Sequence, residues 1–360
     1  MTAPSSRRYL YMDFLRILGC FLVIVNHTNS RVFMNNPPPA CTWFVSVAWY
    51  YFSKTAVPLF VMVSGACLLP RVDSYRRTME RVLRILLTLL LFSYGYYLWG
   101  LRMNWSWASA LNPFALLSAI WQMRITDSFW YLYFYTGMLL MLPLFQRLVQ
   151  VMKKADYHYL LGLSLLFHVA WPLLAHYVPK LTLPKFFDLP LFSVFIGLFF
   201  AGHYIQVYVA PKRWQIPICT AVIALSVAVA VGLTLLEIRR LPPNARYLFM
   251  DERTAPALPV VLSAVSLMVL SKTCFAFWEK TKRGIPPRMA QWLVTLGACS
   301  FCVYLLQDGV ILATRGTIFP FLSGLMNPFI AAVLWEIGLF VVLMAAAWVL
   351  KKLPIFRKLI

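Results

Sequence analysis

The chain has 360 residues, of which 61% are hydrophobic, 16% aromatic and only 12% charged, and its mean hydropathy is +0.72. Soluble globular domains carry roughly 45–50% apolar and about 25% charged residues, so this composition excludes that class. The net charge of +21 would point to a nucleic-acid binder in a soluble protein, but here the Lys and Arg residues fall in short stretches between apolar runs. That is the signature of membrane topology, and no nucleic-acid partner is expected.

The apolar runs predict about ten transmembrane helices, near 10–30, 45–69, 83–101, 129–149, 158–178, 189–209, 214–236, 255–272, 293–313 and 327–350. An all-α polytopic membrane protein with a single domain over 1–360 follows, with no soluble domain expected after the last span. The first span carries charge and lacks a small-residue cleavage site, so it reads as retained. Pro37, Pro38 and Pro39 stiffen the loop after it. Basic residues then alternate along the loops. Arg71, Arg76, Arg77, Arg81 and Arg84 follow the second span; Arg147, Lys153 and Lys154 the fourth; Lys212 and Arg213 the sixth; Lys272 to Arg288 the eighth. The positive-inside rule therefore puts both termini in the cytoplasm. The opposite loop over 102–127 contains Trp105, Trp107, Phe114, Leu116, Leu117 and Trp121, which predicts an amphipathic segment in the outer interface.

The seven cysteines are Cys20, Cys41, Cys67, Cys219, Cys274, Cys299 and Cys302. Nearly all sit in apolar runs, where a thiol behaves as a small hydrophobe. Only Cys41 reads as a loop residue. Cys299-x-x-Cys302 has no second pair and lies within a span, so no metal site is expected.

The first span holds the residues that do not belong in lipid. Arg16 and His27 stand eleven positions apart in an otherwise apolar run. Eleven steps of about 100° return nearly to the same face, with a rise of about 16 Å. Ionisable groups inside a span are costly and by default mark function. One helix thus offers a cation near one membrane surface and an imidazole towards the other.

Asp13-Phe14-Leu15-Arg16, followed by ten residues and His27, resembles the opening of the membrane acyltransferase 3 family, integral-membrane O-acyltransferases of surface polysaccharides and related glycans. Val57-Pro58-Leu59-Phe60-Val61-Met62-Val63-Ser64-Gly65 resembles the family's second span, Arg81-x-x-Arg84 its basic motif, and Phe129-Trp130-Tyr131-Leu132 through Pro143 its fourth span. Ser300-x-x-x-Tyr304-Leu305-Leu306-Gln307 resembles the ninth, with Gln307 where the family often has histidine. Gln307 and Asp308 can accept hydrogen bonds but cannot titrate as an imidazole does.

The resemblance implies a bacterial plasma-membrane O-acyltransferase, an O-acetyltransferase in its usual form. It would use cytoplasmic acyl-CoA (acetyl-CoA) as donor and a hydroxyl of an envelope glycan or lipid-linked sugar as acceptor. Arg16, Arg81 and Arg84 would hold the phosphates of coenzyme A through charge-assisted contacts. Gly19 and Cys20 would leave room for the pantetheine arm. His27 would be the catalytic residue, either as general base or through transient acylation. Asn26, Lys54 and Ser64 would stabilise the oxyanion or bind the acceptor, Asp13 would orient Arg16, and Tyr304, Gln307 and Asp308 would support the site.

Each residue also has a plainer reading. Arg16 can snorkel as a topology anchor, Arg81 and Arg84 can be positive-inside residues, and His27 can make an interhelical hydrogen bond. His168, His176 and His203 read as structural. Glu336, an acid in the last span, is expected to pair with a buried arginine or tyrosine. A transporter of a glycan or lipid intermediate is the competing function, because intramembrane polar residues serve such a path equally well.

Overall fold

The computed structural model describes residues 9–101, 106–183, 193–240, 257–281 and 283–359. These fold into helices alone. In chain order they are α1 Leu10–Thr28, α2 Ser30–Asn35, α3 Cys41–Ser53, α4 Ala56–Leu68, α5 Tyr75–Leu101, α6 Trp107–Ala110, α7 Pro113–Trp121, α8 Trp130–Val151 and α9 Lys154–Leu165. There follow α10 Trp171–Tyr177, α11 Val194–Tyr208, α12 Gln215–Arg240, α13 Leu258–Glu279, α14 Pro287–Thr314, α15 Ile318–Leu325, α16 Pro328–Leu350 and α17 Pro354–Leu359.

Among the described residues, nine helical segments are long and apolar enough to cross a membrane. The remaining expected span, the sixth (189–209), corresponds to α11, which has 15 residues and so rises about 22 Å. Its first part, 189–192, lies outside the described residues. Lipid-facing stripes recur at helical spacing, as with Leu83, Leu87, Leu90 and Leu91 on α5 and Ile330, Leu334, Ile337 and Val341 on α16, all exposed.

The second span, expected as one helix, is broken into α3 and α4 at Lys54 and Thr55. Pro58 explains the break: it has no N–H to give to the carbonyl of Lys54, and its ring crowds that turn. Ser53 and Thr55 turn their hydroxyls back onto the carbonyls of Tyr50 and Phe52, at 2.6 and 2.7 Å. The fifth span is likewise interrupted, with a wider turn at Leu166–Ala170 just before Pro172.

Small residues set the deepest packing, as they do between helices in lipid, where hydrophobicity supplies no driving force. A Cβ on Gly65 of α4 would lie 1.8 Å from the carbonyl oxygen of Phe199, and one on Gly202 of α11 would lie 1.9 Å from that of Met62. The α4 and α11 backbones therefore touch, and α4 also packs on α1. A Cβ on Gly297 of α14 would meet the Asp13 side chain at 2.9 Å. Lys272 of α13 donates to the carbonyls of Ile205, Gln206 and Val209 at 2.8–2.9 Å, capping the end of α11.

The stretch expected to lie in the outer interface forms α6 and α7. Asn112 caps α7 by accepting from the Ala115 N–H at 3.1 Å. Trp107, Phe114, Leu117 and Trp121 are exposed, as a segment lying in the membrane interface requires. Trp105 falls outside the described residues.

Candidate active site

Arg16 sits in the second turn of α1, beside α4. Its Nη1 donates to Asp13 Oδ1 at 3.0 Å and its Nη2 to Cys67 Sγ at 3.3 Å. The Asp13 side chain is 1% exposed and the Arg16 side chain 32%. Asp13 thus anchors a guanidinium whose outer edge stays open. Three residues on, the room expected at Gly19 and Cys20 is filled. The Phe60 ring lies 3.3 Å from where a Gly19 Cβ would be, and the buried Cys20 donates its thiol to the Ser300 carbonyl at 3.6 Å. Gly19 and Cys20 therefore leave no gap beside α1 at this level.

Towards α4 and α8 lies a half-buried polar strip. Ser64 lies beside Tyr131 and Tyr135 of α8, and Tyr135 has Arg16, Arg81 and Cys67 near it. The rings of Tyr131 and Tyr135 stack with centroids 5.8 Å apart, and Tyr304 of α14 meets Tyr131 edge-on at 5.9 Å. Arg16, Cys67, Ser64, Tyr135 and Tyr131 are all only partly buried although they face neighbouring helices.

Arg81 is held in place by a buried carboxylate, Asp73. It grips Asp73 in a two-pronged contact, Nη1–Oδ2 2.6 Å and Nη2–Oδ1 3.3 Å. Asp73 is 1% exposed on its side chain and also meets Arg77 at 3.4 Å. Gln146 of α8 donates to Asp73 Oδ2 at 2.8 Å and to the Leu68 carbonyl at 2.9 Å, and accepts from the Asp73 N–H at 3.0 Å. The loop between α4 and α5 is thereby fixed to α8. Burial works to raise the Asp73 carboxyl, but the Gln146 and Arg81 hydrogen bonds and the Arg81 and Arg77 charges outweigh it and hold it below the ordinary 3.8. Arg84, three residues beyond Arg81, is exposed and is not drawn into this cluster.

At the other end of α1 the polar groups stand differently. His27 is exposed in the last turn. Thr28 donates to Glu336 Oε1 at 2.8 Å, and Trp49 Nε1 to Glu336 Oε2 at 3.0 Å. Glu336 therefore pairs with a threonine and a tryptophan, not with the arginine or tyrosine expected from sequence. Asn29 and Ser46 lock α1 to α3, with Asn29 Nδ2 to the Ser46 carbonyl at 2.5 Å. Asn26 Oδ1 is buried without a partner, as are both carboxamide atoms of Gln307. Tyr304 donates to the Ser128 carbonyl, and Asp308 accepts from the hydroxyls of Thr126 and Ser128. These bonds tie α14 to the start of α8. Lys54 stays in the α3–α4 turn, its ammonium 4.6 Å over the Tyr50 ring, and is not placed in the polar strip.

The structure thus brings Arg16, Asp13, Ser64 and, through Tyr135, Arg81 into one neighbourhood. Asn26, His27 and Gln307 lie apart from it. Asp73, Tyr135 and Gln146, and a site role for Cys67 and Tyr131, were not found from sequence, because single polar residues on apolar helices or in a short loop carry no spacing signal.

The family model described as an acyltransferase domain matches residues 9–352, which includes every one of these helices from α1 to α16. The chain belongs to the acyltransferase 3 family. No curated protein and no solved structure matches it. The protein is an acyltransferase with an all-α polytopic membrane fold. Among the described residues of this acyltransferase, no three His, Cys, Asp or Glu side chains gather as metal ligands. Cys299 and Cys302 are free and buried in an apolar cluster with Cys20, Ile24 and Trp335. Cys274 joins Cys41 as an exposed thiol. His203 and His176 have partners in Tyr157 Oη at 2.7 Å and Glu237 at 3.1 Å, which suits structural roles.

Proposed function

We propose that the enzyme is a single-domain, ten-span O-acyltransferase of the bacterial plasma membrane with both termini in the cytoplasm. It moves an acyl group, an acetyl in the simplest case, from cytoplasmic acyl-CoA to a hydroxyl of an extracytoplasmic envelope glycan or lipid-linked sugar. The observation that carries this reading is the layout of α1. A braced arginine with an open edge stands at one end, and eleven residues on, about 16 Å along the axis, stands an exposed histidine.

Arg16 and Arg81 supply the positive field for the phosphates of the donor, and their aspartate partners preset the direction of each guanidinium. The donor's narrow arm runs along the strip of Ser64, Tyr135 and Tyr131. At the far end, His27 accepts the proton of the acceptor hydroxyl as its oxygen attacks the thioester carbonyl. The new C–O bond forms, the C–S bond breaks, and the CoA sulfur leaves with a proton returned from His27. Helical geometry places His27 between the direction of Gly19, which faces Phe60 of α4, and that of Cys20, which faces α14.

The test is transfer by the purified enzyme in proteoliposomes, with radiolabelled acetyl-CoA outside the face that carries the termini and glycan acceptor on the other. His27→Ala is expected to abolish transfer with folding intact, and Arg16→Ala to raise the donor KM. Full transfer by the His27 variant would overturn the mechanism.

A further inference from the structure

Gln307 is 0% exposed, and neither its Nε2 nor its Oε1 has a hydrogen-bond partner. Buried amides are rarely left so, because each unmade bond costs the desolvation of its group. The same holds for Asn26 Oδ1, one residue before His27.

Their positions are related. α1 and α14 run side by side in the same direction, since Asp13 packs on Gly297 and Cys20 reaches the Ser300 carbonyl. Carrying that register forward sets Gln307 level with the last turn of α1, Val23 to His27. On α14, Gly297, Ser300, Tyr304 and Gln307 follow one another at three- and four-residue steps, so Gln307 shares the face that meets α1 and Tyr131. It stands one turn beyond Tyr304, whose ring meets Tyr131, on the side towards the His27 turn.

We propose that the Gln307 carboxamide is the docking site for an amide of the acyl donor's pantetheine arm, the one separated from the thioester sulfur by a two-carbon linker. This rests on the acyl-CoA reading above. A carboxamide offers one donor edge and one acceptor edge in a plane, and a secondary amide is its complement, giving N–H to Oε1 and taking Nε2–H on its carbonyl. A thioester carbonyl could satisfy only the donor edge. A wholly buried position on the α14 face that meets α1 suits a slender unbranched arm better than a broad sugar ring. An amide held at this level leaves the thioester at the His27 turn.

The experiment measures donor and acceptor kinetics for wild type and Gln307→Leu with two donors, acetyl-CoA and an acetyl-CoA analogue in which that amide is replaced by an ester. With acetyl-CoA, Gln307→Leu is expected to raise the donor KM on the order of tenfold and to leave the acceptor KM unchanged. With the analogue, which lacks the N–H but keeps the carbonyl, the gap between wild type and variant should narrow, because one of the two bonds is already lost in wild type. A raised acceptor KM, an equal loss with both donors, or unchanged kinetics with both would each overturn the assignment, the last meaning that water alone fills the site. Gln307→Met serves if the leucine variant does not fold. A wild-type enzyme that uses no acyl-CoA at all would instead remove the underlying reading and this one together.

Discussion

Around Arg16 the charged groups come already matched, whereas around His27 the enzyme leaves polar atoms open. Asp13 and Arg16 pair at 3.0 Å, and Asp73 gathers Arg81, Arg77 and Gln146. One helix length away, His27 is exposed and Asn26 and Gln307 keep buried atoms without partners. The contrast has a physical logic. On the proposed reading, a guanidinium that waits for donor phosphates inside a membrane protein would be costly unheld, and the carboxylates that brace it fix its geometry. A site that must exchange hydrogen bonds with a reacting ligand gains by keeping its donors and acceptors uncommitted until that ligand arrives.

The sharpest break of this comparison is chemical. His27→Ala should lower kcat by about 10²–10⁴-fold, the range of a lost general base, and leave the melting temperature in detergent nearly unchanged. A large loss of stability would mean that His27 is structural. Gly65→Ala comes next. Its Cβ would be forced against the Phe199 carbonyl, so α4 must move off α11, costing about 1–3 kcal/mol of stability. Because Ser64 moves with it, donor KM should rise as well, which separates this variant from a purely packing defect elsewhere.

Asp73→Asn tests the braced end. It removes the charge that holds Arg81 and should cost about 2 kcal/mol, read as a lower unfolding midpoint and a higher donor KM. The sign with pH is fixed. The folded Asp73 carboxyl lies below its ordinary 3.8, so its stabilisation is fully present above that value and is lost as pH falls through the depressed one. The acid limb of the wild-type stability profile should be weaker in Asp73→Asn. The smallest effect has the opposite direction. Gln307→Leu should stabilise the donor-free enzyme by about 1 kcal/mol, since it removes two unmet buried groups, and a clear loss of stability would show that Gln307 is already satisfied by ordered water.

Much of this was readable in the chain. The apolar runs set the spans, and the Arg16–His27 spacing marked α1, because lipid makes any ionisable residue conspicuous. Other features were hidden. Arg81 and Arg84 look equivalent in Arg81-x-x-Arg84, yet only Arg81 finds the buried Asp73; three residues of helix turn the pair to different surroundings. Gly19 and Cys20 suggested open space, but Phe60 of α4 and the Ser300 carbonyl of α14 fill it, and both lie far away in sequence. Glu336 suggested a basic or phenolic partner and instead met Thr28 and Trp49. A buried acid can be satisfied by any donor that packing delivers.

By itself, then, the sequence determined the class of protein, the course of its spans, the family and the helix on which chemistry is to be sought, since hydropathy and helical period act over neighbouring residues. The tertiary structure decided which arginine is braced and that Ser64 joins Tyr131 and Tyr135. It also decided that Gln307 is enclosed with its hydrogen bonds unmade. Those outcomes depend on where glycines such as Gly65, Gly202 and Gly297 let backbones approach, and close approach is a property of two helices at once.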